Sequence, residues 1–386
     1  MTPNGKRHCD TLDLIRALAA GAVCISHLRN LMFVDFNSST HVGLATKAVY
    51  FLSNFGHTAV VVFFLLSGYF VGGSVLRQVK AGTWSWQRYL IERLSRLWIV
   101  LIPALLLTLF WDRLGISLVG GPFYLGTEGT FDQQVNIATR LSESTFLCNA
   151  VFLQTLTCNP FGSNGPLWSL ANEFWYYLWF PAFYVLLRPR RGIVAFVAAA
   201  LALGTMIAFP SIVSGFGLWL LGVALVWLES RFPARAARTG LPWFTLVSGA
   251  VFLGILAWTR LVAFNSDWLV GLACFAFVRC ILWENVRLRP AALSRFAMRL
   301  SAFSYSLYLT HFPLVLFVAA VVFGRRIQFD GYGALVFAAM LVVSYAFAYG
   351  VFLVFENNTK RVQHSLQQLR LFRVKGGAKA VARRIG

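Results

Sequence analysis

Three ionisable side chains interrupt an apolar stretch near the start of the chain. Residues 12–27 read LDLIRALAAGAVCISH and contain Asp13, Arg16 and His27. On an α-helix, Arg16 and His27 lie within about 20° of a common face, and Asp13 lies within about 40° of His27. A guanidinium can hold a phosphate, and a neutral imidazole in an apolar site is a competent base near pH 7. The stripe therefore combines an anion-binding group with a base about 16 Å further along the helix.

Two later apolar segments carry ionisable groups at a similar depth. Glu173 lies about two turns into 166–187, with Tyr177 one turn below it, and His311 lies about ten residues into 300–323. Ionisable residues in membrane segments usually face the bundle interior and mark function. We predict that His27, Glu173 and His311 share a site in which Glu173 or His311 orients His27 or binds an acceptor. The structural alternative is that each histidine bonds a neighbouring helix and that Glu173 is an ion-pair partner.

A pair of arginines at i, i+3 spacing begins another apolar segment. In ERLSRLWIVLIP (92–103), Arg93 and Arg96 lie on one helix face. They are either positive-inside anchors or bidentate donors that capture phosphate together with Arg16. Asp13 is expected to pair with Arg16 or another arginine, because it lies about 21 Å along the helix from His27.

The first helix also suggests how a substrate could reach His27. Ala20 and Val23 lie on the same stripe as Arg16 and His27 and leave it narrow. We predict that these two small side chains line a track between the guanidinium and the imidazole.

Composition indicates which elements position these residues. The chain has 386 residues, is 58% hydrophobic and 12% charged, and has a mean hydropathy of +0.67. Soluble domains have about 25% charged residues, and barrel strands would alternate in polarity. We predict an all-α, multi-pass helical membrane bundle over 1–355 and a basic cytoplasmic tail over 356–386. The ten predicted spans are 12–34, 49–76, 97–115, 166–187, 192–210, 212–229, 241–258, 267–284, 300–323 and 333–355.

The basic residues indicate the orientation of these spans. The formal net charge is +20, and an N-terminus inside the cell places 25 Lys and Arg on the cytoplasmic side against seven outside. This split predicts that both chain ends are cytoplasmic and explains most of the charge without nucleic-acid binding. The tail is expected to lie along anionic lipid headgroups. A cleaved signal peptide is disfavoured because Arg16 interrupts its apolar region.

The cysteines predict no metal site. No CxxC or Cys/His metal spacing occurs, and Cys24, Cys274 and Cys280 are expected to be core residues. Cys148 and Cys158 lie in the long outer loop at about 112–165. An oxidising compartment would allow them to pair, but spacing alone leaves both the paired and the free state open.

Five blocks, in order, resemble the integral-membrane acyltransferase family 3, whose members O-acylate surface polysaccharides and related glycans. The resemblance covers nearly the whole chain. The blocks are Leu12-Asp13 with Arg16 and His27, GHTAVVVFFLLSGYF (56–70), the RxxR of Arg93 and Arg96, Trp168-Ser169-Leu170 with Glu173 and Tyr177, and SYSLYLTHFPL (304–314). Many members have a second acidic residue where Phe174 stands here, so Glu173 would have to act alone.

The resemblance implies a function and a location. It implies that the donor is a cytoplasmic acyl-CoA, with acetyl-CoA as the first candidate, and that no metal takes part. The implied acceptor is a glycan hydroxyl on the far side of a bacterial inner membrane. It also implies that His27 has the central catalytic role, as base or acylated nucleophile. Arg93 and Arg96 are then expected to bind the CoA end of the donor. Trp168, Tyr177 and Asp13 are expected to support these residues, and the chain resembles the stand-alone members without a fused soluble domain.

Two other function classes fit the same residues. A transporter of a small glycan or lipid-linked sugar would use buried His and Glu as a proton relay. However, the chain shows no repeated halves of the kind many transporters have. A scaffold for polysaccharide assembly would need neither Arg93 nor Arg96.

Overall fold

The chain folds into a bundle of α-helices. The structure is a computed structural model that describes residues 10–40, 42–128, 135–188, 192–235, 241–262, 264 and 266–368. Over these residues, β structure is limited to two isolated bridges. The helices of the first half are α1 (Asp10–Met32), α2 (Leu44–Leu52), α3 (Gly56–Ser67), α4 (Gly73–Lys80), α5 (Trp86–Leu118), α6 (Pro122–Leu125), α7 (Glu143–Ala150) and α8 (Trp168–Leu186). Those of the second half are α9 (Ile193–Ala208), α10 (Val213–Arg231), α11 (Trp243–Leu261), α12 (Asp267–Glu284), α13 (Ala291–Ala302), α14 (Ser304–Phe323), α15 (Gly331–Val354) and α16 (Thr359–Gln368).

The predicted all-α membrane bundle is confirmed. Within the described residues, seven helical segments are long and apolar enough to cross a membrane. The other three predicted spans are also helical, as α8, α9 and α12. The helix α9 has only 16 residues, whereas α8 and α12 carry more polar or charged side chains. The protein is therefore an integral membrane protein with several spans.

The second predicted span is broken rather than continuous. It consists of α2, a break at 53–55, α3, a π-helical turn at Gly68–Gly72, and α4. At this turn a Cβ on Gly68 would lie 1.9 Å from the carbonyl oxygen of Trp219, and a Cβ on Gly222 would lie 1.9 Å from that of Leu65. Only glycine permits such an approach of two backbones. The glycines thus hold the π turn in close contact with α10.

The third predicted span extends further than its apolar core. The helix α5 has 33 residues and is capped at its N-terminus by Ser85, whose side chain accepts a hydrogen bond from the amide of Arg88. Its length is about 50 Å, well beyond the roughly 30 Å of a bilayer core. Arg93 and Arg96 therefore lie on a rigid helix, as predicted, rather than in a loop.

The centre of the bundle is formed by α1 and α14. The helix α1 packs against α3, α13, α14 and α15, and α14 also packs against α5. Most of the apolar window of α14 is buried, whereas α11 is largely exposed, as suits a lipid-facing helix. Of the seven apolar segments, α14 is therefore the most enclosed, and more than half of the apolar window of α1 is buried.

The beginning of the predicted tail is folded onto the bundle. A short 3₁₀ turn at Glu356–Asn358 leads into α16, which packs along α5, and the side chain of Gln363 donates to the carbonyl of Glu92. Residues 369–386, which hold most of the predicted basic charge of the tail, lie outside the described residues.

Candidate functional site

Two histidines from the central helices contact each other directly. His27 Nδ1 on α1 lies 2.8 Å from His311 Nε2 on α14. The rings are nearly parallel, with an interplanar angle of 7°, and Phe312 packs edge-on against His27. His311 is completely buried. The predicted proximity of His27 and His311 is therefore present in the structure.

The hydrogen bonds define which nitrogen of each ring carries a proton. His311 Nδ1 lies 2.6 Å from the carbonyl oxygen of Leu307, one turn earlier on α14. Because a carbonyl only accepts, Nδ1 of His311 must donate, and the Nε2 of a neutral His311 must accept. His27 then donates from Nδ1. The lone pair of a neutral His27 is consequently on Nε2, which is the arrangement an oriented base or nucleophile requires.

A cavity of about 430 Å³ lies between helices of the bundle. It contains the three predicted arginines, the predicted glutamate and several aromatic side chains. Its lining residues are Arg16, Val60, Phe63, Phe64, Leu66, Ser67, Phe70, Val71, Arg93, Arg96, Leu97, Ser169, Leu170, Glu173, Tyr177, Ser304, Tyr305 and Tyr308. The cavity thus joins α1, α3, α5, α8 and α14 in one concave site, as ligand-binding pockets usually do.

Each of the three arginines of the cavity lies near a carboxylate, and the partner of Arg96 is Glu356. Arg16 Nη1 lies 3.9 Å from Asp13 Oδ1, which also accepts a hydrogen bond from Ser301. Arg93 lies 3.8 Å from the carboxylate of the neighbouring Glu92 and stands over the ring of Tyr89. The expected pairing of Asp13 with an arginine is found. Guanidinium groups fixed in this way match the geometry of phosphate oxygens.

Glu173 belongs to a hydrogen-bonded chain within the same cavity. The hydroxyl of Tyr177 donates to Glu173 Oε1 at 2.5 Å and lies 3.2 Å from Ser67 Oγ. Trp219 Nε1 donates in turn to Ser67 Oγ at 3.1 Å. This hydrogen-bonded chain runs from α10 through α3 to α8, and Tyr177 is its member that contacts the Glu173 carboxylate directly.

The predicted three-residue site is divided into two parts. Glu173 lines the cavity with the arginines, but neither His27 nor His311 is among the described residues that line it. Tyr308 is the lining residue nearest to the pair along α14, one helical turn before His311. Its ring packs edge-on against Phe63, with ring centroids 6.2 Å apart. Phe63 and Tyr308 thus form an aromatic pair in the cavity lining.

The predicted track along α1 is wrong. Ala20 and Val23 are buried in packed apolar clusters and are absent from the cavity lining. The face of α1 beyond Arg16 packs against neighbouring helices, so the open space lies instead between α3, α5, α8 and α14. The error arose because one helix gives an angular position for a side chain but not the identity of the helix opposite it.

The cavity also contains residues that the sequence analysis does not single out. Tyr305 and Tyr308 line the cavity, and the Tyr308 hydroxyl contacts Ser169 Oγ at 2.6 Å and donates to the carbonyl of Pro166. Glu356 was placed in the tail, yet its carboxylate lies 3.3 Å from Arg96. A buried tyrosine usually needs a partner for its hydroxyl, which is the signal that could have singled out Tyr308.

The remaining predicted residues lie on the loop side of the bundle. Trp168 begins α8, and the ring of His57 stacks over it at a centroid distance of 6.0 Å. His57 is itself paired with Asp267 at 2.9 Å. Cys148 and Cys158 are joined in a disulfide, and Cys24 and Cys274 are buried. No cluster of three possible metal ligands occurs among the residues that the structure describes.

Comparisons with known proteins cover most of the chain. A family model described as an acyltransferase domain matches residues 10–352. Nodulation protein 10 of Rhizobium leguminosarum bv. viciae is 24% identical over 333 residues, which cover 79% of this chain and 82% of the relative. No solved structure gives a significant match. The match to the family model includes both histidines and all three cavity arginines, and it ends before Glu356.

Proposed function

The chain belongs to acyltransferase family 3, and on that premise we propose that it moves an acetyl group across the membrane. The donor is cytoplasmic acetyl-CoA, and the acceptor is a hydroxyl group of an exported polysaccharide or other surface glycan. The observation that carries this proposal is the oriented His27–His311 pair in a bundle whose cavity is lined by three arginines. The bacterial origin of Nodulation protein 10 supports a bacterial inner membrane as the location.

The cavity fits the donor. CoA carries phosphate groups at one end and its thioester at the end of a long flexible arm. Arg16, Arg93 and Arg96 offer planar donors for the phosphates, and the apolar side chains of α3 can contact the arm. With both chain ends in the cytoplasm, these arginines face the compartment that supplies acyl-CoA.

The aromatic pair in the cavity lining favours a small acyl group. Phe63 and Tyr308 pack against each other, and Tyr308 lies one helical turn before His311 on α14. Tyr308 is held in place by Ser169 and Pro166, so it cannot swing aside without losing both contacts. An acetyl group needs the least space to pass these rings on its way to His27.

His27 serves as the base in the simplest chemistry. His27 Nε2 takes the proton of the acceptor hydroxyl while the hydroxyl oxygen attacks the thioester carbonyl carbon. The carbon–sulfur bond then breaks, and the imidazolium returns the proton to the departing CoA sulfur. His311 holds Nδ1 of His27 throughout and stabilises the charge that develops on the ring.

The same lone pair supports a two-step route. His27 Nε2 attacks the thioester carbonyl carbon, the carbon–sulfur bond breaks, and CoA leaves as the thiolate. The acceptor oxygen then attacks the acyl-imidazolium, the carbon–nitrogen bond breaks, and the hydroxyl proton neutralises the thiolate. The two routes differ in one observable product. Labelling of His27 by labelled acetyl-CoA in the absence of acceptor, detected by peptide mass spectrometry at neutral pH and removed by hydroxylamine, identifies the two-step route.

The proposal is tested by acyl transfer in membranes that contain the protein. Labelled acetyl-CoA is added, and label is measured in the glycan fraction for the wild type and for His27→Ala at equal protein levels. We expect His27→Ala to lower transfer by at least about 100-fold, because a positioned base contributes that much or more. His57→Ala is the matched control, because His57 pairs with Asp267 instead of lying in the histidine pair.

The alternatives predict other results. Full transfer by His27→Ala would remove His27 from the mechanism. Glycan movement across proteoliposomes without any acyl-CoA would indicate the transporter. The family match favours the acyltransferase over both the transporter and the scaffold.

A further inference from the structure

Glu356 connects the end of the last long helix to the phosphate end of the cavity. It follows α15 in the 3₁₀ turn Glu356–Asn358, and its side chain is only 2% exposed. Oε2 accepts hydrogen bonds from the backbone amide of Ser306 at 3.2 Å and from its hydroxyl at 2.7 Å. Oε1 lies 3.3 Å from Nη2 of Arg96. One carboxylate therefore joins the chain after α15 to both α14 and α5.

The N-terminus of α14 fixes this carboxylate in place. Ser306 is the third residue of α14, where backbone amides have no partner within the helix and the helix dipole favours a negative charge. With Oε2 bound to that helix end, Oε1 has a defined direction toward Arg96. The anchor of Arg96 is thus a buried group on rigid structure, rather than a mobile surface side chain.

The other two arginines of the cavity have weaker anchors. Arg93 and Arg16 pair with acidic residues on their own helices at 3.8 and 3.9 Å, and those side chains are 27% and 13% exposed. Arg96 is itself 42% exposed, so the rest of its guanidinium can reach an anion in the cavity. It combines the best-fixed partner with the greatest accessibility of the three.

We propose that Glu356 is a positioning residue that holds Arg96 ready for a phosphate group of CoA. This inference rests on the proposed function, because it assigns the cavity arginines to the phosphates of the donor. Without the carboxylate, the arginine side chain gains rotational freedom that it must lose again when it binds phosphate. The residue lies beyond the part of the chain that the family model matches.

The test measures the binding of CoA itself to the purified full-length protein in detergent, by isothermal titration. We expect Glu356→Ala to weaken CoA binding by about fivefold to tenfold, the cost of ordering one long side chain. Glu143→Ala is the matched control, since it removes an exposed glutamate in the first turn of α7 that is not part of the cavity lining. Its CoA affinity should change by less than about twofold, as expected for a surface substitution.

A second variant and a second donor exclude a merely structural effect. Glu356→Gln keeps an oxygen for Arg96 and should weaken CoA binding less than Glu356→Ala. In steady-state assays, Glu356→Ala should raise KM for acetyl-CoA with little change in kcat, as expected for lost binding that is equal in the ground and transition states. With S-acetylpantetheine, which has no phosphate, wild type and variant should have the same KM.

The outcomes separate this inference from the proposed function. Unchanged or tighter CoA binding by Glu356→Ala overturns the positioning role, even if the wild type transfers acetyl groups normally. A KM that rises equally for both donors also overturns it, because phosphate is then not involved. Normal CoA binding by a wild-type protein that transfers no acetyl group overturns the proposed function but leaves the role of Glu356 intact.

Discussion

The proposed chemistry depends on a single hydrogen-bonded pair of imidazoles. The Leu307 carbonyl, His311 and His27 form a line of contacts in which each proton has a defined place. The lone pair lies on His27 Nε2 because of these hydrogen bonds, and His27 alone would not fix its position. Activity should therefore depend on His311 through the tautomer of its partner.

Replacing His311 tests this dependence. His311→Phe keeps an aromatic ring but removes the acceptor for His27 Nδ1, so His27 loses its fixed tautomer. We expect about 100-fold lower acyl transfer, in line with the loss of an orienting partner for a catalytic histidine. His311→Gln, which can still accept, should retain more activity than His311→Phe. Equal activity of His311→Phe and wild type would show that the pair is only a packing contact.

At the scale of elements, the loop before α8 is pinned to the helices that carry the site. The buried carboxylate of Asp112 on α5 accepts from the amide and the hydroxyl of Ser163, both at 2.7 Å. Asn164 donates to Thr108 on α5 and to the carbonyl of Leu309 on α14. This loop thereby sets the start of α8, from which Ser169 and Glu173 reach the cavity.

Removing the Asp112 carboxylate should detach this loop. Asp112→Ala leaves two buried donors of Ser163 without an acceptor, which costs about 3 kcal/mol of unfolding free energy. We expect a lower thermal midpoint in detergent together with lower transfer activity. Asp35→Ala is the control, because Asp35 forms an exposed ion pair with Arg326 that is worth about 1 kcal/mol or less. Equal midpoints for the two variants would contradict the anchoring role.

Sequence reasoning recovered the helices better than their mutual arrangement. Hydropathy located nearly every long helix, and depth along the spans brought His27 and His311 together correctly. Depth along the spans could not show that Glu173 lies apart from the histidine pair, because the rotation of α8 relative to α1 is decided by packing across the bundle. Glu356 escaped notice because it follows the last apolar run, where a sequence looks like the start of a tail.

For the whole molecule, the proposed chemistry requires a path from one side of the membrane to the other. The basic residues predict that the cavity arginines face the cytoplasm, and the histidine pair lies further along the outward-running helices α1 and α14. A donor held at one end and an acceptor approaching from the other would meet at His27. Transfer should therefore require that donor and acceptor be supplied on opposite sides.

Sided membrane vesicles test this claim most directly. Labelled acetyl-CoA, which does not cross membranes, is added to inverted vesicles, which expose the cytoplasmic face, and to right-side-out vesicles, with the acceptor glycan present in both. The account predicts label in the glycan only with inverted vesicles, and none with either kind when they carry His27→Ala. Equal labelling in right-side-out vesicles, or undiminished labelling by His27→Ala, would contradict it.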